Sequence, residues 1–194
     1  KIKNDKLKYF KFDLKNISNF ENFINNTKIL SLVNSFISLT GYIEAKSILK
    51  LNVKSFHNHI NVNYLSNLII IKKLLPLMNN KKFGRILLSS STGVKFGGGK
   101  STGLYSLSKY MNEFFFNNYK EFYKKNILIN TLRIGVTDTK IHKNVKGKNL
   151  KKRVNLIPIG RMASVSEVAK YIYFYSSNLN TLTTNEIIDI SGGE

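Results

Sequence analysis

The sequence lacks cysteine and any long apolar run, and each absence excludes a class of protein. Without cysteine the chain can form neither disulfide bonds nor thiolate metal ligands. Its apolar runs all fall short of the roughly 20 residues that a membrane-spanning helix requires. The first ten residues, KIKNDKLKYF, also lack the apolar centre of a secretory signal peptide. We therefore expect a cytoplasmic protein.

Histidine is scarce as well, and its distribution does not favour a metal site. The sequence has 3 histidines, which are His57, His59 and His142. Residues two positions apart on a helix point in different directions, so His57 and His59 would not share a ligand. We predict no metal, and we expect these side chains to lie at the surface or to be hydrogen-bonded in the core.

Acidic residues are few. The chain has 31 Lys and Arg but 11 Asp and Glu, which gives a formal charge of +20. Such an excess of positive charge is typical of proteins that neutralise phosphates. The lysines, however, run along the whole chain, and the base-reading residue arginine is limited to Arg85, Arg133, Arg153 and Arg161. A basic nucleic-acid-binding protein therefore stays an alternative that the composition does not favour.

The 194 residues suit one domain, 1–194, and their pattern alternates strands with helices. Strands are predicted at 7–14, 29–33, 85–88, 127–132 and 186–190. Helices are predicted from 18 onward, at 55–78 with Pro76 at its end, at 104–124, and after a capping box of Ser164 and Glu167. Residues 36–54 are ambiguous, with 43–51 as a helical option. This alternation predicts an α/β fold with a parallel sheet.

The segment 84–109 carries the functional prediction. Its apolar strand ends in Ser89, Ser90 and Ser91, passes through a glycine-rich loop and enters a helix. Tyr105 and Lys109 lie four positions apart on that helix and therefore share one face. A hydroxyl at a strand end beside a Tyr/Lys pair can hold a carbonyl and transfer a proton to its oxygen.

These residues resemble the short-chain dehydrogenase/reductase family over nearly the whole chain. Tyr105-Ser106-Leu107-Ser108-Lys109 matches the family's Tyr-x-x-x-Lys signature, and Asn63 is similar to its helix-borne asparagine. The segment Gly135-Val136-Thr137-Asp138-Thr139 looks like its Pro-Gly-x-x-x-Thr segment, and the end of the chain from Arg161 to Gly192-Gly193 resembles its C-terminal end. The resemblance implies a three-layer, Rossmann-like, doubly wound parallel sheet and an oxidoreductase that uses NAD or NADP.

The resemblance also implies roles for individual residues. Tyr105 would be the acid/base, with its pKa lowered by Lys109, and Ser91 would hold the substrate oxygen, although Ser89 and Ser90 compete for that role. Asn63 would anchor a water that connects Lys109 to solvent. The implied catalytic residues are Asn63, Ser91, Tyr105 and Lys109, and the implied cofactor-binding residues are Asp13, Asn34, Tyr105, Lys109, Gly135, Val136 and Thr139.

The chain departs from the family at three places. Asn34-Ser35-Phe36-Ile37 stands where the family has Asn-Asn-Ala-Gly, and Ile134 replaces a proline. The Gly-rich turn of the first βα unit does not precede the segment at 7–14, so we expect a fragment of a longer parent that by itself binds cofactor weakly or not at all.

The expected activity is the interconversion of a carbonyl and a hydroxyl, as in 3-oxoacyl-carrier-protein reductases and sugar or polyol dehydrogenases. The expected substrate is a small or carrier-bound molecule, and the lysine-rich segment 140–153 favours an anionic one. The intact parent is expected to be a homodimer or homotetramer through its two long helices. A non-catalytic nucleotide-binding or scaffolding relative is the alternative, and the choice between NAD and NADP stays open.

Overall fold

The sheet runs through the centre of the computed structural model, which describes residues 7–140 and 149–194. Within these residues, strands β1 (Ser35–Ile37), β2 (Gly84–Ser91), β3 (Ile127–Ile134) and β4 (Ile187–Ile190) form one parallel sheet in the order β1-β2-β3-β4. The register pairs Ile37 with Leu87, Ser91 with Ile134, and Ile134 with Ile190. The carboxyl ends of all these strands therefore meet at one edge, which confirms the α/β, Rossmann-like fold.

Helices follow the strands on both sides of the sheet. They are α1 (Ile17–Asn26), α2 (Val53–Ile60), α3 (Ser66–Lys81), α4 (Gly103–Tyr110), α5 (Tyr119–Tyr123), α6 (Leu150–Val154) and α7 (Val165–Ser176). A π-helical turn, Asn61–Leu65, joins α2 to α3 without a break. The predicted capping box of Ser164 and Glu167 at the start of α7 is confirmed.

The main core lies between the sheet and helices α1 and α3. Ile86 and Leu88 of β2 pack there with Ile127 and Ile129 of β3 against apolar side chains of both helices, Leu74 and Met78 among them. Because side chains alternate along a strand, Leu87 faces the other side, where α7 contacts β1 and β2. The result is a three-layer arrangement.

Two predicted strands are wrong. Residues 7–14 form no regular element, and Phe10 and Phe12 pack instead on Phe23 of α1, with ring centroids 5.3 and 4.6 Å apart. Residues Ile29–Leu32 form a 3₁₀ turn that buries Leu30, and the strand begins only at Ser35. A short apolar run does not distinguish a strand from a helical turn, which explains the error.

Three helix predictions also need correction. Pro76 does not end its helix, since α3 continues to Lys81, and Pro76 lies on an exposed face where water can reach the unpaired carbonyl. Of the segment 43–51, only Ile48–Lys50 is helical, as a 3₁₀ turn. The helix predicted at 104–124 stops after the 3₁₀ turn Met111–Glu113, where Thr131 Oγ1 donates a 2.6 Å hydrogen bond to the Asn112 carbonyl, and helix resumes only at α5.

Among the described residues, every helix is too short or too polar to cross a lipid bilayer.

The buried Arg85 side chain generates a stability prediction. It is 1% exposed, and its guanidinium donates to the carbonyls of Gly84, Asn126, Ser177 and Asn180 over 2.8–3.2 Å. Arg85→Met leaves several of these buried carbonyls without donors, so we expect urea denaturation to show a loss of about 3 kcal/mol in the free energy of unfolding. Arg161→Met, which removes an arginine that pairs with Glu167 at the surface, is the control and is expected to change stability far less. Equal losses in the two variants would contradict the structural role of Arg85.

The buried His59 ring generates a prediction about pH. Its Nδ1 lies 2.8 Å from the Ser55 carbonyl and its Nε2 accepts from the Glu44 backbone N–H at 3.2 Å, so the ring is neutral with the proton on Nδ1. Burial lowers the pKa of His59 below its ordinary value. The unfolded chain therefore binds the additional proton more readily, and stability that is complete above about pH 6.5 is lost as the pH falls below it.

We expect His59→Gln to remove part of this acid-induced loss when unfolding by urea is measured between pH 7 and about pH 5. The exposed neighbour His57 provides the matched control, because His57→Gln should leave the acid slope unchanged. An unaltered slope in His59→Gln would show that other groups cause it.

Candidate active site

A cavity of about 1090 Å³ opens at the carboxyl edge of the sheet. Part of its lining comes from residues that end or follow three of the strands. These residues are Leu39, Thr40 and Gly41 after β1; Ser89, Ser90 and Ser91 at the end of β2; and Ile134, Gly135 and Val136 at and after the end of β3. Helix α4 contributes Tyr105 and Lys109 to the same cavity. The parallel topology thus brings together three of the four residues that were predicted to be catalytic.

Tyr105 and Ser91 line the same cavity, and Ser91 acts on the pKa of the Tyr105 phenol. Burial raises the pKa of the Tyr105 phenol above its ordinary value, and the hydrogen bond with Ser91 opposes this rise only in part. Tyr105 is therefore a protonated phenol near neutral pH, beside a second hydroxyl in the cavity wall.

The neighbouring serines make other bonds, which distinguishes the three candidates. Ser90 Oγ donates to Glu113 Oε1 at 2.5 Å, and Ser89 Oγ accepts from Lys109 Nζ at 2.9 Å. Ser91 Oγ accepts the Gly93 N–H at 3.2 Å, and Ser91 is the serine that acts on the pKa of Tyr105. The geometry favours Ser91 over Ser89 and Ser90.

Lys109 is a buried ammonium group. Its side chain donates to the Thr40 carbonyl at 3.0 Å and to Ser89 Oγ at 2.9 Å, and the residue is 3% exposed. Burial lowers the pKa of Lys109 to about 7. The expectation that Lys109 lowers the pKa of Tyr105 is wrong for this structure, because the phenol responds to its own burial and to Ser91.

Asn63 lies behind the cavity, in the π-helical turn, and does not line the cavity itself. Its side-chain amide bonds both backbone groups of Tyr42, at 2.6 and 2.9 Å, and donates to Ser108 Oγ at 2.8 Å. Its backbone carbonyl accepts the side-chain amides of Asn67 and Asn112, at 3.0 and 2.8 Å. A water bound at that carbonyl would have to displace one of these amides.

The predicted cofactor-binding residues fall into two groups. Gly135, Val136 and Thr139 line the cavity together with Tyr105 and Lys109. Asp13 and Asn34 do not line it. Asp13 Oδ1 accepts the Lys15 N–H in the turn before α1, and Asn34 lies before β1, where Lys81 Nζ donates to its side chain at 3.1 Å.

The displacement of Asn34 has a simple cause. The strand expected at 29–33 lies at Ser35–Ile37, so Asn34 comes to the amino edge of the sheet and Leu39, Thr40 and Gly41 come to the cavity. The apolar pair Phe36 and Ile37 followed by Gly41 was the sequence signal for these three residues.

Gly135 has a structural role beside its place in the cavity. A Cβ at this position would lie 2.8 Å from Ser191 Cα and 3.0 Å from the Ile190 carbonyl. Only glycine lets β3 and the end of β4 approach this closely.

Two ion pairs near the cavity were missed by the sequence prediction. Glu113 is buried, and its Oε1 accepts a hydrogen bond from Arg133 Nε at 2.9 Å. This bond links the 3₁₀ turn after α4 to β3. Glu194 pairs with Arg153, and both line the cavity. The charged Glu113 directly before the three phenylalanines 114–116 was a signal for the first pair, whereas nothing local indicates the second.

Comparisons with known proteins identify the relatives of this chain. The family model described as Enoyl-(Acyl carrier protein) reductase matches residues 2–194. Two curated relatives are 3-oxoacyl-[acyl-carrier-protein] reductases FabG. The one from Buchnera aphidicola subsp. Baizongia pistaciae is 25% identical over 161 residues, and the one from Aquifex aeolicus is 26% identical over 162 residues. Each alignment covers 83% of this chain but 66% and 65% of the respective relative, so the chain spans somewhat less than two thirds of their length.

Solved structures show the same fold. A 3-oxoacyl (acyl-carrier-protein) reductase from Agrobacterium tumefaciens C58 with NADP bound is 20% identical, with a TM-score of 0.80 over 94% of this chain and 72% of that one. ElxO with NADP bound is 23% identical, with a TM-score of 0.81 over 96% of this chain and 77% of that one. With the family model matching nearly every residue and the Tyr105/Lys109 pair in the cavity, the chain belongs to the short-chain dehydrogenase/reductase family.

Proposed function

We propose that the protein is an NAD- or NADP-dependent oxidoreductase that interconverts a carbonyl and a hydroxyl. The presence of Ser91, Tyr105 and Lys109 together in the lining of one cavity, with Ser91 acting on the Tyr105 phenol, carries this proposal. Two hydroxyl donors at one point fit a carbonyl oxygen, which has two lone pairs.

The donor set of the cavity fits a nicotinamide cofactor. An ammonium group has three N–H donors, and the bonds of Lys109 to Thr40 and Ser89 use two of them, which leaves one for a ribose hydroxyl. The Thr139 side chain and the backbone from Gly135 to Thr137 would hold the nicotinamide end of the cofactor. When bound, the reduced cofactor supplies a hydride to the carbonyl carbon.

The residues of the chain supply the matching proton. Ser91 donates a hydrogen bond to the substrate oxygen, and Tyr105 transfers its phenolic proton to that oxygen as negative charge develops there. The raised pKa of Tyr105 keeps the phenol protonated before the reaction, which suits the direction of reduction.

A 3-oxoacyl group, free or bound to a carrier protein, is the proposed substrate class. Its support comes from the curated relatives, which are named 3-oxoacyl-[acyl-carrier-protein] reductases. We also propose a homodimer or homotetramer, because α4 and the segment after it expose Leu107 (49%), Tyr110 (56%) and Phe114 (65%).

Tyr105→Phe tests the acid/base role. The variant keeps the ring but removes the phenolic proton, so we expect kcat for ketone reduction to fall by about 10²- to 10⁴-fold while NADPH still binds. Oxidation of NADPH, followed by its absorbance, measures the rate. Tyr173→Phe changes an exposed tyrosine of α7 that does not line the cavity and should leave kcat unchanged. Unchanged turnover in Tyr105→Phe would refute the role, and cofactor binding without reduction of any ketone by the wild type would favour a non-catalytic relative.

The buried ammonium generates a pH prediction. If NADH binds to the form with charged Lys109, its dissociation constant is constant below about pH 7 and rises about tenfold per pH unit above it. NADH is the probe because it lacks the titratable 2′-phosphate of NADPH. We expect Lys109→Met to bind weakly and without this slope in a fluorescence titration, and the surface variant Lys124→Met to keep it. The same slope in Lys109→Met would assign it to another group.

A further inference from the structure

Residues 42–46 form part of the cavity wall without regular secondary structure. They follow Gly41 and belong to no helix or strand, yet Ile43 lines the cavity. A segment that lacks the repeated backbone bonds of a helix or sheet keeps one position through individual bonds to its neighbours. The place of the Ile43 side chain in the wall therefore depends on the bonds that residues 42–46 make.

Hydrogen bonds between groups that do not titrate near neutral pH hold both ends of this segment. The Asn63 side-chain amide bonds both backbone groups of Tyr42, at 2.6 and 2.9 Å. At the other end the Lys46 N–H donates to the Ser101 carbonyl at 2.9 Å, and Ser101 also lines the cavity. Both ends therefore stay attached when the pH falls from 7 to about 5.

The middle of the segment is bonded to the His59 ring of α2. Its Nε2 accepts the N–H of Glu44, the residue directly after Ile43, at 3.2 Å. Its Nδ1 lies 2.8 Å from the Ser55 carbonyl, which can only accept, so Nδ1 carries the proton of the neutral ring. The ring is fully buried and packs edge-on against Tyr42, with ring centroids 4.9 Å apart. This bond holds Glu44, and with it Ile43, against α2.

Protonation of the ring reverses the role of Nε2. An imidazolium donates from both nitrogens, so its Nε2–H would meet the Glu44 N–H and their hydrogen bond would be lost. Burial lowers the pKa of His59, so the ring takes up this proton only below about pH 6.5.

The charged groups around the ring do not replace the lost bond. The Glu44 carboxylate attracts an imidazolium, but Lys46 Nζ pairs with that carboxylate at 2.6 Å. Helix α4, which contacts α2, carries Lys109, whose ammonium is bonded to Thr40 and Ser89. The π-helical turn Asn61–Leu65 carries no group that is charged near neutral pH.

We propose that His59 is a positioning residue whose neutral ring holds Glu44 so that Ile43 keeps its place in the cavity wall, and that protonation of the ring weakens substrate binding. This inference rests on the proposed function, because Ile43 lines the same cavity as Tyr105 and Lys109. His59 does not line the cavity itself, so it acts through residues 42–46 and not on the reacting atoms.

Two substitutions separate the hydrogen-bond acceptor from the charge. His59→Gln keeps a side-chain oxygen that can accept the Glu44 N–H but takes up no proton, whereas His59→Leu fills similar space without an acceptor. The substrate is a 3-oxoacyl thioester with saturating NADH. It follows the proposed substrate class alone, since the lysine-rich segment 140–153, which favoured an anionic substrate, lies partly outside the described residues.

We expect the KM of the wild type for the thioester to rise about fivefold between about pH 6.5 and about pH 5, because one hydrogen bond that holds the wall is lost. His59→Gln should keep a constant KM, and His59→Leu should show the raised KM at both pH values. In all three proteins kcat should change far less than KM. The exposed neighbour His57 provides the matched control, since His57→Gln should keep the rise of the wild type. A rise of equal size in His59→Gln would overturn the proposal.

A measurement on the ligand-free protein separates this role from the reaction. The ¹³C-methyl NMR signal of Ile43, assigned by its loss in Ile43→Val, should shift over the same pH range in the wild type and stay constant in His59→Gln. A shift that His59→Gln abolishes supports the positioning role even if no ketone is reduced, and the proposed reaction alone then fails. A signal that ignores pH in the wild type, or moves equally in His59→Gln, would contradict the role even if ketones are reduced. This comparison does not depend on the folding of His59→Leu.

Discussion

The hydrogen bonds of Asn63 hold together the elements that carry the site. This fully buried amide joins the π-helical turn to the backbone of Tyr42 after β1 and to Ser108 in α4. Ser108 directly precedes Lys109, so the same amide that fixes the loop after β1 also fixes the helix that presents the ammonium. A buried polar network of this kind specifies one arrangement because each broken bond leaves an unsatisfied group. The positions of Thr40, Tyr105 and Lys109 depend on it.

Burial of Lys109 then determines which chemistry the cavity can perform. Its ammonium bonds Thr40 in the loop after β1 and Ser89 in β2, so one charge connects this loop to the neighbouring strand at the edge where the cavity opens. The lowered pKa of Lys109 places its protonation change near neutral pH, whereas the raised pKa of Tyr105 keeps the phenol protonated there. A proton donor and a titratable cation thus share one wall. Ser90 is bonded to Glu113 instead, which leaves Ser91 beside the phenol.

The parts of the site that follow local rules could be predicted from the sequence. The spacing of Tyr105 and Lys109 defines one helix face, the serines mark a strand end, and Ser164 with Glu167 forms a capping box. Predictions failed where contacts between distant segments decide the outcome. The strand at Ser35–Ile37 is fixed by its pairing with β2, whereas the prediction put it at 29–33. The prediction therefore assigned Asn34 to the cofactor site and missed Leu39, Thr40 and Gly41, which line the cavity. Likewise, Glu194 reaches Arg153 only because two glycines with positive φ turn the chain back to the cavity.

The most direct test of the central claim follows the hydrogen that reaches the substrate carbon. The protein is incubated with a 3-oxoacyl thioester and NADPH that carries deuterium at the transferable position of the nicotinamide ring, and the product is analysed by mass spectrometry. The account predicts a 3-hydroxyacyl product with one deuterium on the new carbinol carbon and a solvent-derived proton on its oxygen. A protein that binds NADPH and the thioester but yields no deuterated alcohol would contradict the assignment of Ser91, Tyr105 and Lys109 to carbonyl reduction.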